Sequence, residues 1–215
     1  MNKIIDLYSA NPGDSLIFEL AIDEKGWILK YLELYQAAID HMNVAIQFYP
    51  YNHFFHYLRG VCKSKLNLNR EAILDFDRAI QISPRNTTHY FARGTCKHEL
   101  KRFEEAISDF DKVIQIDPKS SYAFKGLGIC KTELKRFEEA ISDFDKAIRI
   151  DPKDCQTFRF KGYCKYELQR FQEALLDFDK VIQIDPYDSY SLRLKAACKS
   201  ELRQFEDVFI DWEPQ

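Results

Sequence analysis

The sequence predicts an all-α array of repeated antiparallel helix pairs, and three residue types predict it together. Five of the seven prolines, Pro50, Pro84, Pro118, Pro152 and Pro186, stand 34 residues apart. Five of the seven glycines, Gly26, Gly60, Gly94, Gly128 and Gly162, keep the same step, with Ala196 in the next place. Five of the six cysteines, Cys62, Cys96, Cys130, Cys164 and Cys198, share it too. No insertion or deletion breaks the register from Gly26 to Ala196, which marks a repeat array.

Within one period the apolar pattern is helical twice over. Tyr122, Ala123, Phe124, Leu127, Ile129, Cys130 and Leu134 fall at helix spacing. After the polar step Lys135–Arg136, the residues Phe137, Ala140, Ile141, Phe144, Ala147, Ile148 and Ile150 form a second stripe at steps of three and four. Asp151–Pro152 ends it, because proline disfavours α geometry in the residue before it. Small residues, Gly128 in the first helix and Ala140 and Ala147 in the second, stand where the helices must approach closely.

Taken in order, residues 1–18 read as a short helix and turn covering the array, with Asn11-Pro12-Gly13-Asp14 as the turn and Asp14 or Ser15 as the cap of the next helix. The units are placed at 19–52, 53–86, 87–120, 121–154 and 155–188, with a shortened sixth at 189–215. The first carries Gly26, Tyr35, Ala38, Met42, Ala45 and Pro50 but no aromatic before its glycine, and the second has Asn69 where later copies have Phe103, Phe137 and Phe171. The third and fourth are near copies: Cys96–Lys119 and Cys130–Lys153 agree at 21 of 24 places. The fifth has Val181 in place of an alanine. In the sixth, Val208, Phe209, Ile210 and Trp212 have no following unit in this sequence, so self-association or docking is expected there, through Phe209, Ile210 and Trp212.

This pattern resembles the tetratricopeptide repeat. Phe124, Gly128, Phe137, Ala140, Phe144, Ala147 and Pro152 match the family's slots in one copy, as do Phe158, Gly162, Phe171, Ala174, Phe178 and Pro186 in the next. The resemblance runs from about Glu19 to the end. It implies an α-solenoid, a right-handed superhelix of about six units, whose first helices line a concave groove that binds partner segments. An ankyrin array would need a hairpin motif that is absent, and a helical RNA reader would have a different period and a basic face.

Composition narrows the function. The 31 Lys+Arg and 34 Asp+Glu leave a net charge of −3, so neither nucleic acid nor an anionic membrane is expected as partner. No run of about 18 apolar residues occurs, and Asp6 interrupts the apolar start, so a signal peptide is not expected either. A cytoplasmic protein is the expectation. No cofactor or metal is expected, since no Cys-x-x-Cys or Cys/His cluster of zinc spacing is present. Gly13-Asp14-Ser15-Leu16 is similar to the nucleophile block of the GDSL hydrolases, which build their site on an α/β sheet and need a downstream Asp-x-x-His that this chain lacks. The protein is expected not to be an enzyme, with a hydrolase using Ser15 as the alternative of a different class.

The cysteines read as small buried thiols beside the glycine, except Cys155, which is off the period at a helix start. Lys63, Lys97, Lys131, Lys165 and Lys199 follow them, while Asp75, Asp109, Asp143, Asp177 and Asp211 recur in the second helices. Repetition in every unit suggests structural ion pairs, which at an exposed surface would contribute about 0–1 kcal/mol each. Glu99, Glu133, Glu167 and Glu201 read as solvated helix ends.

Function should lie where the copies differ. The expected groove residues are Trp27, Phe54, Tyr57, Phe91, Tyr122, Lys125, Arg159, Tyr163, Tyr166, Tyr190 and Arg193, an aromatic surface with a basic ladder in the C-terminal half and Asp23 at the opposite end. The expected partner is a peptide or helical segment of a protein, apolar in its middle and acidic toward the C-terminal units. Alternatively, the rings fill gaps between first helices. The two-carboxylate clamp known in the family is not satisfied, because Ile129 and Phe160 stand where asparagines belong. The reading is an interaction scaffold or adaptor, with a chaperone for secreted effectors as the runner-up.

Overall fold

The computed structural model describes the backbone of residues 12–210 and the side chains of residues 19–203. Among the described residues the chain is helical, with α1 (Pro12–Tyr31), α2 (Tyr35–Phe48), α3 (His53–Lys65), α4 (Asn69–Ile82), α5 (Thr87–Glu99), α6 (Phe103–Ile116), α7 (Ser121–Glu133), α8 (Phe137–Ile150), α9 (Cys155–Glu167), α10 (Phe171–Ile184) and α11 (Ser189–Ile210). From α3 onward, helix starts fall on the predicted period. Contacts group residues 1–101 (α1–α5) into an N-terminal unit and 102–215 (α6–α11) into a C-terminal one.

Each helix boundary has a local cause. First helices begin at a side-chain cap: Asn52 Oδ1 accepts from Phe54 N at 2.8 Å, Asn86 Oδ1 from Thr88 N at 3.1 Å, and Ser120 Oγ from Ala123 N at 3.4 Å. Asp154 Oδ1 accepts from Gln156 N at 3.1 Å, and Asp188 Oδ1 from Ser191 N at 2.8 Å. The turn into each second helix passes through one left-handed residue, Glu33, Asn67, Lys101, Lys135 or Gln169, with φ between 58° and 61°. The next backbone N–H closes that turn, as Arg136 N donates to Lys131 O at 2.8 Å and Arg170 N to Lys165 O at 2.9 Å. Second helices end just before the Asp-Pro or its equivalent, as expected.

Packing within a pair centres on the periodic glycine. A Cβ on Gly60 would stand 2.8 Å from the Phe76 ring, one on Gly162 2.8 Å from that of Phe178, and one on Gly128 would overlap the Phe144 ring. In the first repeat Met42 takes the aromatic's place, 2.7 Å from a Cβ at Gly26. The rings of Phe76, Phe144 and Phe178 are fully buried, each contributing roughly 1.5–3 kcal/mol by removal from water. Ala72, Ala140 and Ala174 lie beside them in the core.

In the N-terminal unit the core runs through Ala38, Met42, Phe55, Leu58 and Cys62, then through Ala72, Ile73, Phe76 and Cys96. In the C-terminal unit it runs through Ala140, Ile141, Phe144 and Cys164, then through Phe171, Ala174, Phe178 and Cys198. The five periodic cysteines are free and buried, as their place beside the glycine predicts. Burial pushes the Cys62 and Cys164 thiols up to about 11 and that of Cys130 to about 12, so they pack as neutral groups.

The start of α1 corrects one expectation. The Asn-Pro-Gly-Asp stretch reads as a turn with Asp14 or Ser15 as a cap, yet the helix begins at Pro12 and carries residues 13–16 inside it. Proline at a first helical position loses no bond, because its missing N–H would be unsatisfied there anyway. The same helix runs on to Tyr31 across position 18, where the sequence pattern places the end of the cap.

Replacing Gly162 with alanine forces the Phe178 ring from its site and is expected to destabilise the C-terminal unit by about 1–3 kcal/mol. Urea unfolding followed by helical circular dichroism measures it.

Candidate partner-binding surface

The first helices are held in place by carboxylates from the second. Lys131 Nζ lies 2.6 Å from Asp143, Lys165 Nζ 2.7 Å from Asp177, and Lys63 Nζ 3.0 Å from Asp75, which Arg59 also grips at 2.5 Å. These aspartates are buried, with side-chain exposures of 4–7%, so the pairs are not the exposed ones that sequence alone suggests. A buried pair adds little over an apolar core, but removing one partner strands the other charge. A second set reaches back to the preceding pair of helices: Arg93 to Asp77 at 2.6 Å, Lys161 to Asp145 at 2.8 Å, and Lys195 to Asp179. In the fourth repeat Leu127 occupies that basic slot. Asp111 faces no such base there, and burial raises its carboxyl above the usual range.

The residues expected at the groove are placed as follows. In the N-terminal unit Trp27 is 41% exposed, 5.7 Å from Phe54 by ring centroids, and Phe54 lies 6.5 Å from Tyr57. Lys30 Nζ sits 4.5 Å over the Trp27 ring. Tyr57 continues inward onto Phe76 at 5.9 Å and His89 at 5.1 Å. Phe54, Tyr57 and Phe91 are half-buried. The rings of Phe54 and Tyr57 pack between neighbouring first helices, Phe54 against Trp27 of α1 and Tyr57 against His89 of α5. Asp23 is half-buried with Oδ1 unpartnered, and desolvation together with Glu19 pushes its carboxyl up to about 6. Asn52 Nδ2 donates instead to Glu19, at 2.6 Å.

In the C-terminal unit Tyr122 is 62% exposed, with Lys125 Nζ 5.5 Å from its ring centroid. Lys125 also reaches Asp154 Oδ2 at 2.8 Å, and Arg159 reaches Asp188 Oδ2 at 3.0 Å. Each of these ladder bases is thus tied to the aspartate that caps the next first helix. That aspartate uses Oδ1 for the backbone and Oδ2 for the base. Arg159 lies 5.8 Å from Phe160 and 5.9 Å from Tyr190, whose ring Arg193 also approaches, at 5.4 Å. Arg193 is exposed and has no acidic partner among the described residues. Of the three ladder bases, then, two are neutralised in place. Tyr163 is half-buried, its hydroxyl pushed up to about 12 by desolvation and by Glu167, while Tyr166 packs edge-on against Phe171 at 5.6 Å.

Sequence reasoning missed two features. The capping residues Asn52, Asn86, Ser120, Asp154 and Asp188 carried a signal, since they too are 34 residues apart. The second is a hydrogen bond between His53 and His89 at 3.0 Å, which nothing periodic announces because the other units lack both histidines. The side chains of Ser15, Phe209, Ile210 and Trp212 lie outside the described residues.

The tetratricopeptide repeat family matches residues 90–120 and again residues 121–154. Residues 90–154 thus carry tetratricopeptide repeats. The chain's fold, an all-α solenoid of about six repeats, is shared with solved structures of low sequence identity. YrrB, described as a TPR protein with an unusual peptide-binding site, is 18% identical with a TM-score of 0.72, covering 91% of this chain and 97% of its own. Pseudomonas aeruginosa pilF is 19% identical with a TM-score of 0.77, covering 87% and 86%. MamA from Desulfovibrio magneticus is 16% identical with a TM-score of 0.73, covering 80% and 97%. No curated protein matches at the sequence level. Among the described residues of this repeat protein no helix is long and apolar enough to cross a membrane.

Replacing Asp143 with alanine is expected to cost about 3 kcal/mol by leaving the half-buried Lys131 only the exposed Glu139, 3.7 Å away, whereas replacing the exposed Arg136 should barely move the unfolding midpoint. Thermal unfolding of the two variants compares them. The caps also give stability a pH dependence. Against the desolvation of their burial, hydrogen bonds from Lys125 and Thr157 hold the Asp154 carboxyl below the usual range, and those from Ser191 and Arg159 do so for Asp188. A lowered folded value means stability present above the unfolded value near 3.8 and lost as pH falls through the folded one. The double variant Asp154→Asn, Asp188→Asn should lose less stability than wild type between pH 5 and 2, as read by thermal scans across roughly that range.

Proposed function

We propose that this repeat protein is a protein–protein interaction scaffold in the cytoplasm, holding an extended or helical segment of a partner on the variable face of its first helices. Trp27, Phe54, Tyr57 and Phe91 supply the anchors in the N-terminal unit, and Tyr122, Tyr163, Tyr166 and Tyr190 those in the C-terminal unit. The observation that carries this reading is the exposure of Trp27 and Tyr122 above a core already filled by Phe76, Phe144 and Phe178. Large rings left at a surface while the core has its own are what recognition surfaces use. The peptide-binding site named for YrrB, on the same fold, supports it.

The ion pairs refine the partner's chemistry. Lys125 and Arg159 hold the caps of the following helices, so of the three ladder bases Arg193, backed by Tyr190, is the one whose charge is open to a partner. One acidic group at that place, with apolar residues along the tyrosines, fits better than a run of acids.

Affinity capture with wild type, a Trp27→Ala, Tyr122→Ala double variant and Arg193→Glu, with partners identified by mass, tests the reading. The double variant should lose the partner, and Arg193→Glu should weaken it at low salt most of all. Capture unchanged in both variants contradicts it.

A further inference from the structure

We propose that the His53–His89 pair is an acid-sensitive latch joining α3 to α5 in the N-terminal unit. His89 Nε2 and His53 Nδ1 are 3.0 Å apart, with ring centroids at 5.0 Å. His89 is 1% exposed, and its other nitrogen faces Thr88 Oγ1 at 3.5 Å. Thr88 Oγ1 spends its own proton on the capping Asn86 Oδ1 at 2.6 Å and so offers lone pairs to His89 Nδ1–H. This assigns the proton between the rings to His53, which donates to His89 Nε2.

The bond has a built-in condition. A proton taken up by His53 on its far nitrogen leaves Nδ1–H in place and keeps the bond. Only a second proton on the pair, which charges His89 as well, puts two N–H groups face to face and breaks it, leaving a charge in a nearly water-free site. Among the described residues, the charges on neighbouring elements are engaged elsewhere: Glu19 of α1, which lines a cavity with His53, accepts from Asn52 Nδ2 at 2.6 Å. On α3 the titratable groups are His56, bonded to Pro50 O at 3.0 Å, and Tyr57, whose ring lies against His89; Arg59 and Lys63 are engaged by Asp75 of α4. Asp77 of α4 is held by Arg93 of α5. Desolvation first, then His53, pushes His89 from 6.5 down to about 4.

The sign is therefore fixed. Between those two values the unfolded or opened unit binds more protons than the closed one, so the joint is at full strength above about pH 6.5 and weakens as the solution becomes more acid. Because the Tyr57 ring lies against His89 and joins the ring row to Phe54 and Trp27, release of the latch disturbs that row. The latch operates whether or not that row is the partner surface.

The test is ¹⁵N NMR of the imidazoles in the full chain from pH 7.5 to 4.5, with amide exchange followed along α3 and α5. The α7 and α9 amides serve as the control for general acid destabilisation. The latch predicts that His89 stays neutral at pH 6. It also predicts that protection in α3 and α5, corrected for intrinsic rate, falls at least tenfold more than in α7 and α9. His89→Phe, which supplies the residue found at the equivalent Phe55, should lose that difference. His53→Asn should shrink it, because without His53 the His89 value rises toward 6.5 and the gap that drives the difference narrows. If His89→Phe does not fold at pH 7.5, His53→Asn decides alone. Titration of His89 near pH 6.5, an equal loss in both units, a difference that persists in His89→Phe, or an undiminished difference in His53→Asn overturns the latch.

Discussion

The contact on which the structure depends is a ring against a missing side chain. Phe76, Phe144 and Phe178 occupy the space that a Cβ on Gly60, Gly128 and Gly162 would need. That contact sets how closely the two helices of a pair approach and fixes the rotation of the first helix about its axis. Once the glycine edge is turned inward, the buried lysine or arginine beside it meets the aspartate of the second helix, and the cysteine packs next to it. The face left over is decided by elimination, and it holds Trp27, Tyr122 and Arg193.

The capping aspartates couple neighbouring repeats by a different means. Asp154 and Asp188 each satisfy an orphan backbone N–H with one oxygen and a base from the preceding first helix with the other. A negative charge at a helix N-terminus is favoured by the aligned peptide dipoles as well. The ladder bases that look like a recognition code are thereby used to orient successive helices. In the N-terminal unit the corresponding slots hold Asp23 and Tyr57 with Asn52 and Asn86 as caps, so the joint there is made by ring contacts and the histidine pair.

Repetition made most of the fold readable. Gly, Pro and Cys at one step place each helix because every copy repeats the same packing problem. The misread start of α1 has a plain cause: Asn-Pro-Gly-Asp is as good a turn as it is a helix entry with proline first, and only the packing of the helix beyond it decides. At the surface, legibility stopped at partners distant in sequence. Lys125 and Asp154 are 29 residues apart and belong to different helices, so residue type announced the base and gave no sign that its charge was spent. His53 and His89, 36 apart, leave no periodic trace at all.

Whether the variable face of the first helices carries the partner is decided most directly by a photo-activated cross-linker. Placed at position 27 or 122, it is compared with the same group at positions 74 and 176, exposed leucines of the second helices. Cross-links to one partner from positions 27 and 122, and none from 74 and 176, are the expected result. Cross-links confined to positions 74 and 176 would contradict it.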